Sequence, residues 1–221
     1  MLKAVLFDLD GTLLPMDQAT FMKDYFGRLM RRLAPLGYTP EVFLAAMKAG
    51  ITAMTINDGS RTNEQAFWDT FCSIFGEKAR EDMPVFDAFY ANEFEGARSA
   101  CGFDYTGAQI VYACWRMGLK VVLATNPLFP AVATHKRIDW AGLFPTDFAL
   151  VTTYENSHYC KPNPKYYEEL LAKMDVKPEE CLMIGNDVDE DMVAEKTGMN
   201  VFLMTRHLIN RKDQDINQWP H

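Results

Sequence analysis

Two aspartates follow a short apolar run near the start of the chain, in the sequence FDLDGT at positions 7–12. Alternation along an extended chain puts Asp8 and Asp10 on the same side. Crowded carboxylates repel each other, so the arrangement is costly unless a cation or a proton neutralises them, and it therefore indicates a metal site. Gly11 permits a sharp turn and leaves backbone N–H groups open to an anion. The alternative interpretation is a solvated Asp-Gly turn.

A second acid-rich segment, GNDVDED at positions 185–191, follows a later apolar run. Asp187 and Asp191 are four residues apart, so they share a face if a helix begins there. Their hard oxygen ligands suit Mg²⁺, which takes few protein carboxylates. The alternative is that acids simply favour a helix N-terminus. We interpret Asp189 and Glu190 in that second way, as solvated residues without a chemical role.

Three further polar residues have the chemistry to hold an anion. Thr125 and Asn126 follow another apolar run, and their hydroxyl and amide groups can donate hydrogen bonds to phosphoryl oxygens. Lys161, in CKPNP at positions 160–164, is a point charge suited to phosphate oxygens or to offsetting clustered acids. Taken singly, each also fits an ordinary role, a turn in the first case and a surface lysine in the second.

Short apolar runs precede all of these residues, and helical patterns separate the runs. The predicted strands are Ala4–Phe7, Lys120–Ala124, Asp147–Val151, Cys181–Ile184 and Asn200–Met204. The predicted helices between them are Ala108–Met117, Pro164–Met174 and Glu190–Thr197. Apolar runs without alternation, joined by helices, indicate buried parallel strands with right-handed crossovers. The sequence thus predicts a doubly wound α/β fold whose active site lies at the carboxyl ends of the strands.

One interval, residues 16–104, has no convincing strand. Thr39 and Pro40 are typical of a helix start and predict a helix over Glu41–Met54. A further helix opens at Asn63, in which Phe67, Phe71 and Phe75 share one face. We therefore predict a helical cap domain over residues 16–104, inserted in a core domain of residues 1–15 and 105–221.

The four motifs together, with ATN at 124–126 as the second, resemble those of haloacid dehalogenase superfamily phosphatases. The insertion resembles the C1-type helical cap of that family, and the resemblance implies a Rossmann-like core. It also implies that Asp8 is a nucleophile forming an aspartyl phosphate and that Asp10 is the general acid/base. The remaining implied roles are Mg²⁺ binding by Asp8, the Asp10 carbonyl and Asp187, phosphate binding by Gly11, Thr125, Asn126 and Lys161, and support by Asp191.

The activity implied by the resemblance is Mg²⁺-dependent hydrolysis of a small phosphate monoester. Asp10 argues against a dehalogenase, because a halide needs no protonation, and against a phosphonatase, which usually loses this acid. A phosphomutase of the same fold stays open, as does a non-catalytic binding or regulatory relative. The intact pair of Asp8 and Asp10 disfavours the non-catalytic alternative.

Charge and composition limit the partners. The chain has 22 basic and 30 acidic side chains and a net charge of -8, which argues against nucleic acid and anionic membranes. A small phosphorylated metabolite stays the expected partner, because the local field at the strand ends decides its attraction. Five cysteines without a CxxC pair and the lack of a leader pattern predict a reducing, cytoplasmic setting. Monomer and homodimer are both open.

Within the predicted cap, Arg61 is the candidate substrate residue. It follows the turn at Asn57–Ser60, and a cap loop of this kind is able to reach an active site. The cations between residues 21 and 37 are interpreted instead as a solvated basic helix face.

Overall fold

Five parallel strands form one sheet in the computed structural model, which describes residues 1–221. The strands are β1 (Ala4–Phe7), β2 (Lys120–Leu123), β3 (Leu150–Val151), β4 (Cys181–Gly185) and β5 (Asn200–Leu203). They lie in the order β3-β2-β1-β4-β5, with helices on both faces, which confirms the doubly wound α/β prediction. The third predicted strand is shorter than expected because Pro145–Asp147 forms a 3₁₀ turn before it.

The central strand, β1, is buried on both faces. Val5 and Phe7 belong to one apolar core, whereas Ala4 and Leu6 belong to the other. This double burial explains why the strand shows no alternation of apolar and polar residues. Phe7 pairs with the last residue of β2 and with Ile184 of β4. The residues that follow these three strands therefore lie side by side at one edge of the sheet.

Eight α-helices accompany the strands. They are α1 (Gln18–Leu33), α2 (Pro40–Thr55), α3 (Asn63–Phe75), α4 (Lys78–Glu81), α5 (Met83–Ala91), α6 (Tyr105–Arg116), α7 (Ala131–Trp140) and α8 (Pro164–Met174). None of them combines the length and the apolar composition that crossing a membrane requires. The helix predicted over Pro164–Met174 has the same bounds as α8. The helix predicted over Glu190–Thr197 is wrong, because a turn leads there into a 3₁₀ helix over Met192–Thr197.

The segment between β1 and α6 carries α1 to α5 and two 3₁₀ helices, over Ala34–Leu36 and Glu93–Ala100, with no strand of the sheet. The chain enters and leaves this segment at neighbouring points, because the Gly102 N–H donates to the Pro15 carbonyl at 2.7 Å. Phe67 and Phe71 stack at 5.6 Å between ring centroids, which confirms their predicted shared face. One apolar core of 37 buried residues joins these helices to the sheet, so the helical segment packs directly over it.

Candidate active site

A buried ammonium group joins the loops that follow β1 and β4. Lys161 Nζ donates to Asp8 Oδ1 at 2.9 Å and to Asp191 Oδ1 at 2.6 Å. Its side chain is 0% exposed. Burial favours the neutral amine, but the carboxylates of Asp191 and Asp8 outweigh it and hold the pKa of Lys161 well above its ordinary value. Lys161 therefore stays a cation and offsets part of the acid cluster.

The loop after β4 closes around Asp191. Asp191 Oδ2 accepts from the backbone N–H of Asp187 at 2.9 Å. A Cβ atom on Gly185 would lie 2.1 Å from the same oxygen, so only glycine lets the carboxylate pack against the strand end. Asp187 Oδ1 accepts from two backbone N–H groups of its own loop, and its Oδ2 accepts from Arg211 at 2.6 Å. Both acids of the pair are thus fixed in place by tertiary contacts.

The turn after β1 is equally constrained. Gly11 has φ +92°, and a Cβ atom there would lie 2.4 Å from the Asn186 side chain. Thr12 Oγ1 donates to Asn186 Oδ1 at 2.9 Å and lies 3.3 Å from Asp8 Oδ2. The turn that presents Asp8 is therefore tied to the loop after β4, and a glycine is required for this close approach.

Asp10 pairs with a residue that the sequence motifs do not indicate. Arg137 of α7, only 1% exposed, donates from Nη1 to Asp10 Oδ2, and its guanidinium lies 4.4 Å from the centroid of the Phe129 ring. Asp10 Oδ1 is buried without a hydrogen-bond partner. Burial raises the pKa of Asp10, and the charge of Arg137 opposes that rise. No spacing rule marks Arg137, because it is one of several charged residues on an ordinary helix.

Asn126 and Glu190 form a second unpredicted pair. Asn126 Nδ2 donates to Glu190 Oε2 at 3.0 Å, while Asn126 Oδ1 is buried without a partner. Burial raises the pKa of Glu190 to about 7. The expectation that Glu190 is solvated is therefore wrong, because its side chain lines the cavity and pairs with Asn126. Asp189, by contrast, lies outside the site and pairs with Lys212 at 2.8 Å.

A cavity of about 270 Å³ covers these groups. Six of the predicted site residues line it, namely Asp8, Asp10, Thr125, Asn126, Asp187 and Asp191. Lys161 lies behind Asp8, and Gly11 contacts Asn186, which also lines the cavity. The strand order thus gathers the residues of all four motifs at one place.

Arg61 is not brought to this cavity. Its guanidinium forms an ion pair with Asp69 at 2.9 Å, and its side chain is 46% exposed. The Asn57 amide donates to the Arg61 carbonyl at 2.9 Å, and the Tyr159 hydroxyl donates to the Asp58 carbonyl of the same turn at 3.2 Å. The geometry therefore gives no support to a substrate role for Arg61.

The oxygen donors of the cavity fit a hard cation. The Asp8 and Asp187 carboxylates line the same space, and the predicted set adds only the backbone carbonyl of Asp10. No cluster of three or more His, Cys, Asp or Glu side chains has the arrangement of a metal site. Two carboxylates and a carbonyl suit Mg²⁺, which keeps several waters. Arg211 supplies a counter-charge to Asp187 in this structure.

An inserted helical segment above a parallel sheet, with an acid–lysine cluster at the carboxyl edge, defines an α/β protein with a candidate active site at that edge. The family model of haloacid dehalogenase-like hydrolases matches residues 2–196, and the chain belongs to that family. A similar protein is the pyrophosphatase PpaX of Anoxybacillus flavithermus. It is 26% identical over 195 residues, which is 88% of this chain and 79% of the relative.

Two solved structures share the fold. The 2-haloacid dehalogenase of Pseudomonas syringae pv. Tomato DC3000 has a TM-score of 0.63 at 18% identity, covering 100% of this chain and 92% of that one. A predicted phosphoglycolate phosphatase of Haemophilus somnus 129PT has a TM-score of 0.56 at 18% identity, covering 99% and 93%. At these identities the likeness shows the fold alone.

Proposed function

We propose that the protein is a Mg²⁺-dependent phosphatase that hydrolyses a small phosphate monoester through an aspartyl phosphate on Asp8. The observation that carries the proposal is the buried Lys161, which bridges Asp8 and Asp191 beneath a cavity also lined by Asp10. The pyrophosphatase relative supports phosphoryl chemistry in general. The monoester is favoured by the acid at Asp10, which gives an alcohol leaving group its proton.

Asp8 is the nucleophile in this proposal. Lys161 engages Oδ1 at 2.9 Å, whereas Oδ2 has only the longer contact of 3.3 Å with the Thr12 hydroxyl. Oδ2 is therefore the oxygen free to attack phosphorus in line with the ester bond. The new O–P bond forms as the bond to the alcohol oxygen breaks, and an aspartyl phosphate results.

Asp10 moves the protons. Arg137 holds Oδ2, so the unpartnered Oδ1 is the atom that faces the reaction. Burial favours the protonated carboxyl that must give its proton to the departing alcohol oxygen. The resulting carboxylate then takes a proton from water as that water attacks the aspartyl phosphate. Inorganic phosphate leaves and Asp8 is restored.

The other groups bind charge. The Thr125 hydroxyl and backbone N–H groups near Gly11 and Asn126 donate to phosphoryl oxygens, while Lys161 offsets the negative charge behind Asp8. The Asn126 side chain is engaged by Glu190 instead. Bound by Asp8, Asp187 and the Asp10 carbonyl, Mg²⁺ would neutralise charge between nucleophile and phosphate. Residues 16–104 act as a cap that keeps bulk water away from the aspartyl phosphate.

Replacement of Asp8 tests the proposal. Purified Asp8→Asn is compared with the unaltered protein and with Asp69→Asn, a surface change, for release of phosphate from an aryl phosphate with Mg²⁺. We expect Asp8→Asn to lose at least about a thousandfold in kcat and Asp69→Asn to keep it. Full activity in Asp8→Asn would refute the mechanism. Isomerised hexose phosphate without free phosphate would indicate a phosphomutase, and release from pyrophosphate alone would replace the monoester as substrate.

A further inference from the structure

The wall of the cavity opposite the acids is aromatic and apolar. It comes from the helical segment, with side chains such as Phe26, Met47, Ile51, Phe67, Trp68 and Phe86. Fourteen of the 24 residues that line the cavity are hydrophobic. An alcohol bound with its phosphate at Asp8 extends against this wall, so the wall contacts the part of the substrate that differs between phosphate esters.

The same cavity has no cationic residue in its lining. Its charged lining residues are all acids, namely Asp8, Asp10, Asp187, Glu190 and Asp191. Lys161 and Arg137 pair with these acids from behind and are almost fully buried. Arg211 pairs with Asp187 but does not line this cavity; it lines a neighbouring one. A second anionic group on the substrate would lose its water here and find no positive partner. Burying a charge without a partner is strongly unfavourable.

The polar groups of the wall are neutral, and their hydrogen bonds run mainly to one another. The hydroxyl groups of Tyr25 and Tyr90 lie 2.6 Å apart, and Trp68 Nε1 donates to the Tyr154 hydroxyl at 3.4 Å. Burial raises the pKa of both Tyr25 and Tyr90 far above the ordinary value, so both stay protonated. One proton of the tyrosine pair has no acceptor within the pair. The wall therefore offers a ligand one neutral hydroxyl donor and no charged group.

We propose that the substrate is a phosphate monoester of an uncharged, largely apolar alcohol, with an aromatic or branched aliphatic body, and that esters carrying a second anionic group are rejected. This inference rests on the proposed function and adds the class of leaving group to it. A cavity of about 270 Å³ suits one ring-sized group beside the phosphoryl group. A neutral acceptor on that group would bind the free tyrosine hydroxyl.

Binding of two matched phosphonates to the unaltered protein tests the inference without catalysis. 4-Methylbenzylphosphonate and 4-carboxybenzylphosphonate have nearly the same shape and differ in one charge. With Mg²⁺ present, we expect calorimetry to give at least about tenfold tighter binding of the methyl compound. Equal affinities, tighter binding of the carboxylate or no binding of either compound would overturn the inference.

Turnover separates this inference from the proposed function. Phosphate release is measured from 4-methylphenyl phosphate and 4-carboxyphenyl phosphate, and we expect kcat/KM to favour the methyl compound by at least about tenfold. The expected binding preference without release from either ester would refute the phosphatase and leave the substrate class standing. Release from both esters with equal kcat/KM would refute only the substrate class.

A cation introduced into the wall should weaken the preference for the methyl compound over the carboxylate. Ile51→Lys adds an ammonium group to the cavity lining, whereas Ile74→Lys adds one at a 44% exposed position of α3. We expect Ile51→Lys to narrow the ratio of the two affinities by at least about tenfold, and Ile74→Lys to leave it unchanged. A folded Ile51→Lys with the original ratio would contradict the inference. If Ile51→Lys does not fold, the phosphonate comparison on the unaltered protein decides.

Discussion

Replacing Lys161 with methionine should destabilise the fold as well as abolish activity. The substitution keeps a long apolar stem and removes the ammonium group that lies 2.9 Å from Asp8 and 2.6 Å from Asp191. The side chains of Lys161 and Asp191 are 0% and 1% exposed, so water cannot replace the lost partner without opening the structure. Two carboxylates would then be crowded together with no cation between them.

The magnitude follows from this burial. Removing one partner of a buried ion pair costs about 3–5 kcal/mol, because the other charge stays buried and uncompensated. Lys161 serves two carboxylates, so we expect a value near the upper end of that range. The second change Asp191→Asn removes one of the two unpaired charges. The double variant Lys161→Met with Asp191→Asn should therefore be more stable than Lys161→Met alone.

Urea unfolding followed by circular dichroism measures these differences. The control is Lys196→Met, which removes an exposed lysine and should change the free energy of unfolding by less than about 0.5 kcal/mol. The expected order of stability is control, then double variant, then Lys161→Met. A loss below about 1 kcal/mol in Lys161→Met, or losses that simply add in the double variant, would refute the argument that Lys161 compensates buried acids.

Three further predictions concern neighbouring groups. Arg137→Met removes the hydrogen bond that positions Asp10, so kcat for an aryl phosphate should fall at least about tenfold with little change in KM. Arg137→Lys should keep more of the original kcat than Arg137→Met does. Unchanged kcat in Arg137→Met would show that the pair is only structural. Asp187→Asn should raise the Mg²⁺ concentration that gives half-maximal activity at least about tenfold. A chelator should abolish turnover by the unaltered protein. Equal activity with and without Mg²⁺ would contradict the metal site. Burial disfavours the charged form of Glu169, but hydrogen bonds from His158 and Lys173 outweigh burial and lower its pKa. The ionised Glu169 therefore stabilises the fold above its ordinary pKa of 4.5, and this contribution is lost as the pH falls below that value. Glu169→Gln should therefore be less stable at pH 7 and lose less stability between about pH 5 and pH 3, as measured by urea unfolding; parallel pH profiles would count against this reasoning.

Local patterns accounted for the elements with strong local signals. The helix over Pro164–Met174 was predicted to its ends because Asn163 caps it and proline starts it. The helix predicted over Glu190–Thr197 failed for a tertiary reason. Asp187 and Asp191 turn inward to bind backbone N–H groups and Lys161, and the chain there forms a turn before a 3₁₀ helix. The acids that resembled a helix start accept hydrogen bonds within the candidate active site instead of capping a helix.

The sequence by itself determined the number and order of the strands, the helical character of the insertion and the positions of the four motifs, because each rests on spacing within a few residues. It overestimated the length of the third strand, which begins only at Leu150. Only the tertiary structure decided which charges neutralise one another. Arg137 reaches Asp10 across 127 positions of sequence, and Glu190 turns towards Asn126 rather than into solvent. It also decided that the cavity wall is apolar and that Arg61 points away from it. Such pairings depend on the distance between distant segments, and no local periodicity encodes that distance.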